Sequence, residues 1–437
     1  MFGLHCADLA VVLAYFAAIL YVGVVQGGRR TKSLGDFFVA GGKWGPLVSF
    51  IFIFASAIAG NEAVVVSGEA FRGGLSGVWY WWSFLFATPI YYLFSTYYRR
   101  ARVYNLAEFL EMRYGRGVSA LYAVIAGVIC ILFIGMFVLA IAKILSGLTE
   151  LSVTQCVWLI TAIVSAYVYS GGMMSALLTD ILQGLMCLFI LSFVMLPFLW
   201  LDVGGMSALR SLPAEKWDFT SEGMTLWTVL ALNLSAMVGG VAAPWIYNWI
   251  AVARDEKAAT QCAWGHLWKR VITLLFAIYG ILFFLHSPEV SDPEAAWGVV
   301  MKDILPPVLL GLLIASFFAA AMSSADTYAT TSSAMIVDFI YRKILRPAGS
   351  TLHYLFCARL WAVGSIVIAA LTTIWIGSIE QYVKLPLSLS SFLGTPIYFG
   401  VIWRRANRTG MWWSLGLGSV SYLLITQIMP LAELIDR

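Results

Sequence analysis

The stretch AAAMSSADTYATTSS, residues 319–333, lies inside a long apolar segment and determines the class of this protein. It carries seven Ser or Thr hydroxyls together with the carboxylate of Asp326. Such groups are costly in hydrocarbon unless they face a partner or a water-filled cavity. Hydroxyl, carboxylate and carbonyl oxygens are the ligands that a hard cation prefers. The stretch therefore predicts a small cation, in our interpretation sodium, bound inside a membrane helix bundle.

The composition agrees with a membrane protein. Of the 437 residues, 61% are hydrophobic and only 11% are charged, as in an all-α polytopic membrane protein. The net charge of +4 is spread over many short segments, so nucleic acid is not indicated as a partner. The four histidines and six cysteines show neither metal-ligand spacing nor a disulfide framework. Without a phosphate loop or a nucleophile–base pair as well, the sequence does not indicate an enzyme.

About twelve segments are apolar and long enough to cross a membrane, which takes roughly 20 residues. They form a single transmembrane domain over residues 1–437, with no long linker. The predicted spans are 7–26, 46–71, 77–98, 118–147, 153–169, 175–201, 225–251, 265–287, 306–341, 352–377, 379–404 and 411–430.

Basic residues concentrate in alternate loops, and that asymmetry predicts the orientation. Cytoplasmic loops carry an excess of Lys and Arg, so both termini are predicted on the extracytoplasmic side of the inner (plasma) membrane. The basic groups are Arg29, Arg30, Lys32 and Lys43; Arg99, Arg100, Arg102, Arg113 and Arg116; Arg254, Lys257, Lys269 and Arg270; Arg342, Lys343, Arg346 and Arg359; and Arg404, Arg405 and Arg408.

Two predicted spans contain helix breakers at their centres. The second reads FASAIAGNEAVVVSG, residues 54–68, and the seventh reads NLSAMVGGVAAPW, residues 233–245. Interrupted helices at corresponding positions of two halves indicate an inverted-repeat transporter. Unwinding frees backbone carbonyls and half-helix dipoles that can hold ions and substrate. Kinked helices with small-residue packing faces are the alternative interpretation.

Three segments resemble the sodium/solute symporter family, whose members include sodium-coupled sugar, proline, sialic acid and choline transporters. They are AAAMSSADTYATTSSAMIVDFIY (319–341), DFFVAGGKWGP (36–46) and SGGMMSALLTDILQ (170–183). The resemblance implies a LeuT-like core of ten helices in two inverted five-helix repeats, with broken first and sixth core helices. The repeats would span 46–201 and 225–404, leaving 7–26 and 411–430 as peripheral helices.

The resemblance also implies a sodium site. Its ligands would be the backbone carbonyls of Ala55, Ile58 and Ala320 and the hydroxyls of Ser323 and Ser324. About five neutral oxygens can replace the hydration shell of a monovalent ion. Hydrogen bonding of these hydroxyls to the helix backbone is the structural alternative.

A second ion site occurs in some members of the family. Its matching positions are Asp180, Asp326 and Thr327, together with Ser323. Two carboxylates can share a cation, whereas without one they repel each other. A coupled proton is a variant of this idea, and a purely structural Asp180 is the alternative.

Substrate-contacting positions of the family match Glu62, Lys384 and Trp245, and Trp81 lies where it can line the cavity. Ionisable residues within membrane spans are functional candidates. A Glu62–Lys384 salt bridge that only braces the cavity is the alternative. The polar contacts of sugar transporters are mostly not reproduced, so an amine, a carboxylate or a zwitterion all remain open.

These features predict a symporter that uses sodium to import a small polar organic solute by alternating access. Na⁺ is the expected cofactor, and the bilayer and the solute are the expected partners. The sequence leaves protein partners unknown. A membrane-embedded solute sensor of the same fold is the alternative function.

Overall fold

A computed structural model describes residues 3–376 and 379–423, and the regular secondary structure of these residues is helical apart from one isolated β-bridge. The helices are α1 (Cys6–Arg30), α2 (Leu34–Val39), α3 (Pro46–Ser56), α4 (Gly60–Gly73), α5 (Trp79–Ala101), α6 (Leu106–Tyr114), α7 (Arg116–Leu148), α8 (Val153–Asp202), α9 (Gly205–Arg210), α10 (Leu226–Gly240), α11 (Pro244–Ala251), α12 (Glu256–His286), α13 (Ala296–Ile304), α14 (Leu309–Leu345), α15 (Thr351–Ile376), α16 (Ile379–Ile402) and α17 (Arg408–Leu423).

Six of the described helices are long and apolar enough to cross a membrane, and eight spans result if two bent pairs are each counted once. All twelve predicted segments fall on helical residues, although 377–378 and 424–430 lie outside the described part. The short helices α6, α9 and α13 lie in predicted loops. Each has nine residues or fewer, too short for a transmembrane pattern to indicate it.

Both predicted helix breaks are present. The axis bends by 52° between α3 and α4, where Ala57, Ile58 and Ala59 leave the helix. It bends by 55° between α10 and α11, and Pro244 begins the second half. Proline suits the first turn of a helix because its missing N–H would have no partner there. The breakers in the sequence therefore mark the ends of half-helices, and not merely kinks.

The long helix α8 contains a third break, at Gly172. Its φ of 54° and ψ of −137° lie outside the helical region, and a Cβ there would lie 2.6 Å from the Phe37 ring. Only glycine suits such a position. The break separates the two predicted segments 153–169 and 175–201.

Contacts gather the basic segments at one end of the bundle. Arg99 donates to the carbonyls of Gly42 and Arg254, at 3.1 and 3.2 Å. Arg113 donates to the Arg404 carbonyl at 3.1 Å, and Lys343 pairs with Glu108 at the end of the same bundle. The loops that were assigned to one side of the membrane by their positive charge are therefore neighbours in the fold.

Helix α1, predicted as a peripheral helix, makes buried polar contacts with the core helix α14. The carboxylate of Asp8 is buried and accepts hydrogen bonds from the amides of Val308 and Gly311, at 2.8 and 2.9 Å. These amides belong to the start of α14, where a carboxylate is stabilised by the helix dipole. The first helix thus anchors the helix that carries the hydroxyl-rich stretch.

Candidate ion and substrate sites

The two breaks meet around one cavity, which contains about 690 Å³ of space outside the protein atoms, open solvent included. The walls come from α3 and α4, α5, α7, α11, α12 and α14. The lining residues are Ser56, Ala57, Ala59, Asn61, Tyr80, Trp81, Phe84, Phe133, Met136, Phe137, Trp245, Ile246, Trp249, His266, Lys269, Arg270, Ser324 and Tyr328.

One wall of the cavity is aromatic. Trp245 stacks on Tyr328 with ring centroids 4.9 Å apart, and Phe133 meets Trp245 edge-on at 4.8 Å. Phe137 completes the group against Tyr328 at 5.1 Å. Aromatic pairs in these geometries stabilise one another beyond simple burial. The wall is therefore rigid and apolar, and it includes the predicted Trp245; the predicted Trp81 lines the cavity from α5.

Glu62 does not line the cavity. Its carboxylate is fully buried and is bound by the Lys269 ammonium and the Thr273 hydroxyl of α12. The predicted alternative, a bracing salt bridge to Lys384, stays a prediction from the sequence. Lys384 belongs to α16, and its side chain lies outside the described part of the structure.

Lys269 and Arg270 correct the charge assignment made from the sequence. The sequence counts both with a cytoplasmic loop although the predicted span 265–287 includes them, and α12, which begins at Glu256, places both midway along its length. The side chain of Lys269 is 1% exposed and Arg270 is 4% exposed. For Lys269 the carboxylate of Glu62 on α4 makes this possible, and a search for apolar windows cannot detect such a partner on another helix.

The predicted sodium ligands of α14 lie together. Ser323 and Ser324 both donate to the Ala320 carbonyl, each at 3.2 Å. Backbone bonding, the structural alternative, is thus present, but it uses only the hydroxyl hydrogens and leaves oxygen lone pairs available. Ala55 packs against α8. A Cβ added to Gly184 of that helix would lie 2.8 Å from the Ala55 carbonyl oxygen. Ile58 lies within the break itself.

The predicted deeper carboxylates form a second polar group. Ser56 donates to one oxygen of Asp180 at 2.6 Å, and Tyr167 donates to one oxygen of Asp326 at 2.9 Å. The other oxygen of each carboxylate is buried and has no hydrogen-bond partner among the described residues, and the same holds for the Thr327 hydroxyl. Three unpartnered oxygens on two facing helices are a suitable environment for a cation.

Sequence reasoning missed several lining residues. Tyr328 at the cavity, like Tyr167 beside Asp326, resembles an ordinary packing aromatic in sequence, because nothing marks which face of a buried helix meets a site. The adjacent pair Lys269–Arg270 carried a detectable signal: two cations inside a segment already predicted to span the membrane.

Broken helices around a polar cavity inside an apolar bundle define a secondary membrane transporter. Residues 37–418 match the profile of the sodium:solute symporter family, and the chain belongs to that family. The match covers most of the chain, and the resemblance stated from the sequence is confirmed.

Two of the similar curated proteins transport proline or glucose by name. The sodium/proline symporter of Haemophilus influenzae is 25% identical, over 98% of this chain and 90% of that protein. Sodium/glucose cotransporter 1 of Mus musculus is 22% identical, over 95% of this chain and 70% of that protein. A solved structure of a Na⁺-coupled sialic acid symporter in a substrate-bound outward-open state superposes with a TM-score of 0.83 at 18% identity, covering 97% of this chain and 92% of that one.

The protein is therefore a sodium-coupled membrane symporter and not an enzyme. Its coupling ion is Na⁺. The sensor alternative receives no support from these relatives.

The Glu62–Lys269 pair generates a testable prediction. Removing one partner of a buried pair leaves an uncompensated charge, so Glu62→Gln or Lys269→Met alone should cost about 3–5 kcal/mol of stability. The double variant should recover most of that loss. Thermal unfolding of the purified variants measures the effect, and a double variant less stable than either single one would contradict it.

Lys143 and Glu294 provide the matched control. They form a pair at 2.6 Å whose side chains remain 23% and 20% exposed. Because solvent screens this pair, Lys143→Met should cost no more than about 1 kcal/mol.

Proposed function

We propose that the cavity binds the cotransported solute and that a sodium ion binds directly beneath it. The ion's ligands are the carbonyls of Ala55, Ile58 and Ala320 and the hydroxyls of Ser323 and Ser324. One observation carries the proposal: Ser324 both lines the cavity and contacts the Ala320 carbonyl. An ion held there stabilises the break between α3 and α4, and the same break supplies Ala57, Ala59 and Asn61 to the cavity.

This arrangement accounts for coupling. Sodium and solute each bind to groups that depend on the same half-helices, so each favours the arrangement that the other requires. Such a coupling free energy is reciprocal: sodium raises solute affinity by the factor by which solute raises sodium affinity. Movement of the two repeats around the occupied site then exposes it to one side of the membrane at a time.

A second cation is proposed between Asp180, Asp326 and Thr327. Their unpartnered oxygens support it, since buried polar groups are rarely left without partners in native proteins. Tyr167 and Ser56 hold the two carboxylates by their other oxygens. A proton shared by the carboxylates is the variant that the same geometry permits.

For the solute, we propose contacts with Trp245 and Trp81 and with Lys269. Glu62 lies behind the cavity wall and positions Lys269, so its proposed role is to orient Lys269 and not to contact the solute. Lys384 stays a candidate from the sequence. The substrates named for the relatives range from proline to glucose, so family membership leaves the solute open within small polar organic compounds.

We also propose twelve spans, with repeats over 46–201 and 225–404. Fifty residues of α8 would extend roughly 75 Å as one straight helix, far more than the hydrocarbon core, so Gly172 divides it into two. Counting each bent pair once and adding α5, α16 and α17 then gives twelve. The basic end of the bundle supports a cytoplasmic assignment for the loops there and an external position for both termini in the plasma membrane.

Cysteine labelling tests this orientation. In a Cys6→Ala background, an impermeant maleimide should label Glu222→Cys in intact cells. Arg405→Cys, equally exposed at the basic end, should react only after the membrane is permeabilised. The opposite pattern would show that the orientation is reversed.

Loss of a sodium ligand should weaken ion binding strongly. Ser323→Ala and Ser324→Ala each remove an oxygen that binds the ion, and losing a bond to a charged group costs roughly 1.5–3 kcal/mol, at least about tenfold in sodium affinity. The sodium dependence of solute uptake in proteoliposomes measures it. Ser316→Ala is the control, because this hydroxyl of the same helix donates to the Leu312 carbonyl. Wild-type sodium dependence in both site variants would falsify the assignment.

Removal of a deeper carboxylate should change the ion stoichiometry. Asp180→Asn keeps the shape of the side chain but removes the charge that a second sodium requires, so fewer sodium ions should move per solute. The flux ratio of ²²Na⁺ to radiolabelled solute reports the number. Asp338→Asn, on the same helix as Asp326 but paired with Arg342 at 2.7 Å, should leave the ratio unchanged. An unaltered ratio in Asp180→Asn would make that residue structural.

A further inference from the structure

Arg270 is a buried cation that has no carboxylate partner among the described residues. Its guanidinium donates to the Trp81 carbonyl at 3.2 Å and contacts the His266 ring at 2.6 Å. Its Nε is buried without any hydrogen-bond partner in the described part of the chain. Arginine stays protonated in proteins, so this site carries a full positive charge at the cavity wall.

The surroundings do not neutralise that charge. A guanidinium can only donate, so the Nε2 atom of His266 must accept, and the imidazole is neutral. Lys269 is already balanced by Glu62. The face of Phe84 lies 5.4 Å from the guanidinium carbon and adds only a weak cation–π attraction. One net positive charge therefore remains.

The cavity offers donors to an anion. Trp249 also lines it, and its indole N–H is buried without a partner among the described residues. No lining residue of the described cavity is an Asp or Glu. An isolated buried charge is costly, and a bound ligand of opposite charge removes that cost.

We propose that the cotransported solute carries a carboxylate, which Arg270 anchors through its guanidinium with the Trp249 indole N–H as a second donor. The apolar remainder of the solute then packs on the wall of Trp245, Tyr328 and Phe133. Arginine suits this role because its planar fork matches the two oxygens of a carboxylate. This inference rests on the proposed function, because it assigns the solute class of the same cavity.

Pairs of solutes that differ only in charge test the proposal. Purified full-length protein is heated with benzoate or benzamide, and with hexanoate or hexanamide, in sodium and in potassium buffers of equal chloride content. A ligand that binds the folded state raises the unfolding temperature. We expect the acids to raise it in sodium and the amides of the same shape to have no effect; L-proline and D-glucose extend the panel to a zwitterion and a sugar.

Variants then test the residue. Arg270→Gln should weaken the affinity for the responding acid by about 10- to 100-fold, and Arg270→Lys by less, because it keeps the charge but loses the fork. Stabilisation by sodium alone should persist in both. Arg100→Gln removes an exposed arginine paired with Glu256 and should match wild type. If Arg270→Gln does not fold, the acid–amide comparison in wild type decides.

Equal responses to acid and amide, or no response to any acid, would each overturn the inference. Sodium-dependent stabilisation by glucose with none by the acids would do so while leaving the proposed function intact. A wild-type protein that sodium does not stabilise, with or without solute, would instead contradict the proposed function.

Discussion

Backbone carbonyls and amides inside a hydrocarbon bilayer must find their hydrogen-bond partners within the protein. This chain breaks α3–α4 and α10–α11 in the interior of the bundle, and both breaks lie around one cavity. Irregular backbone is tolerated at such depth only where it is buried in protein or lines a cavity. The cavity, the proposed ion ligands and the bent helices are thus consequences of a single constraint.

Helix α14 is the element against which the rest is arranged. Nearly all of its residues from Leu310 to Ser333 are buried, including its hydroxyls and Asp326. Polar side chains can occupy such an environment because neighbours satisfy them: Tyr167 binds Asp326, and Trp361 donates to Ser332. Asp8 of α1 accepts a hydrogen bond from the Val308 amide at the start of α14. Several buried polar groups without a partner among the described residues lie at the proposed ion and solute sites, where bound cations and solute can satisfy them: those of Asp180, Asp326, Thr327, Trp249 and Arg270.

The buried charged residues differ in whether the protein itself pairs them. Glu62 and Lys269 neutralise each other across two helices, whereas Arg270, the next residue, remains unbalanced at the cavity wall. The two adjacent cations therefore differ in charge balance: Lys269 is paired with Glu62, and Arg270 has no carboxylate partner among the described residues. Asp180 and Asp326 place two buried carboxyl groups where the proposed second cation binds.

The sequence by itself determined the class of protein, the helical segments, the positions of both breaks and the hydroxyl-rich helix. These features depend on local composition and on motifs such as 319–341, so they can be identified before folding is known. The tertiary structure decided which charged residues meet. The sequence predicts that Glu62 faces the solute, and the structure shows its carboxylate bound by Lys269; the sequence counts Lys269 and Arg270 with a cytoplasmic loop, and the structure places both at the cavity wall. Pairing between distant helices depends on the rotation of each helix about its axis, and neither hydropathy nor spacing along the chain specifies that rotation.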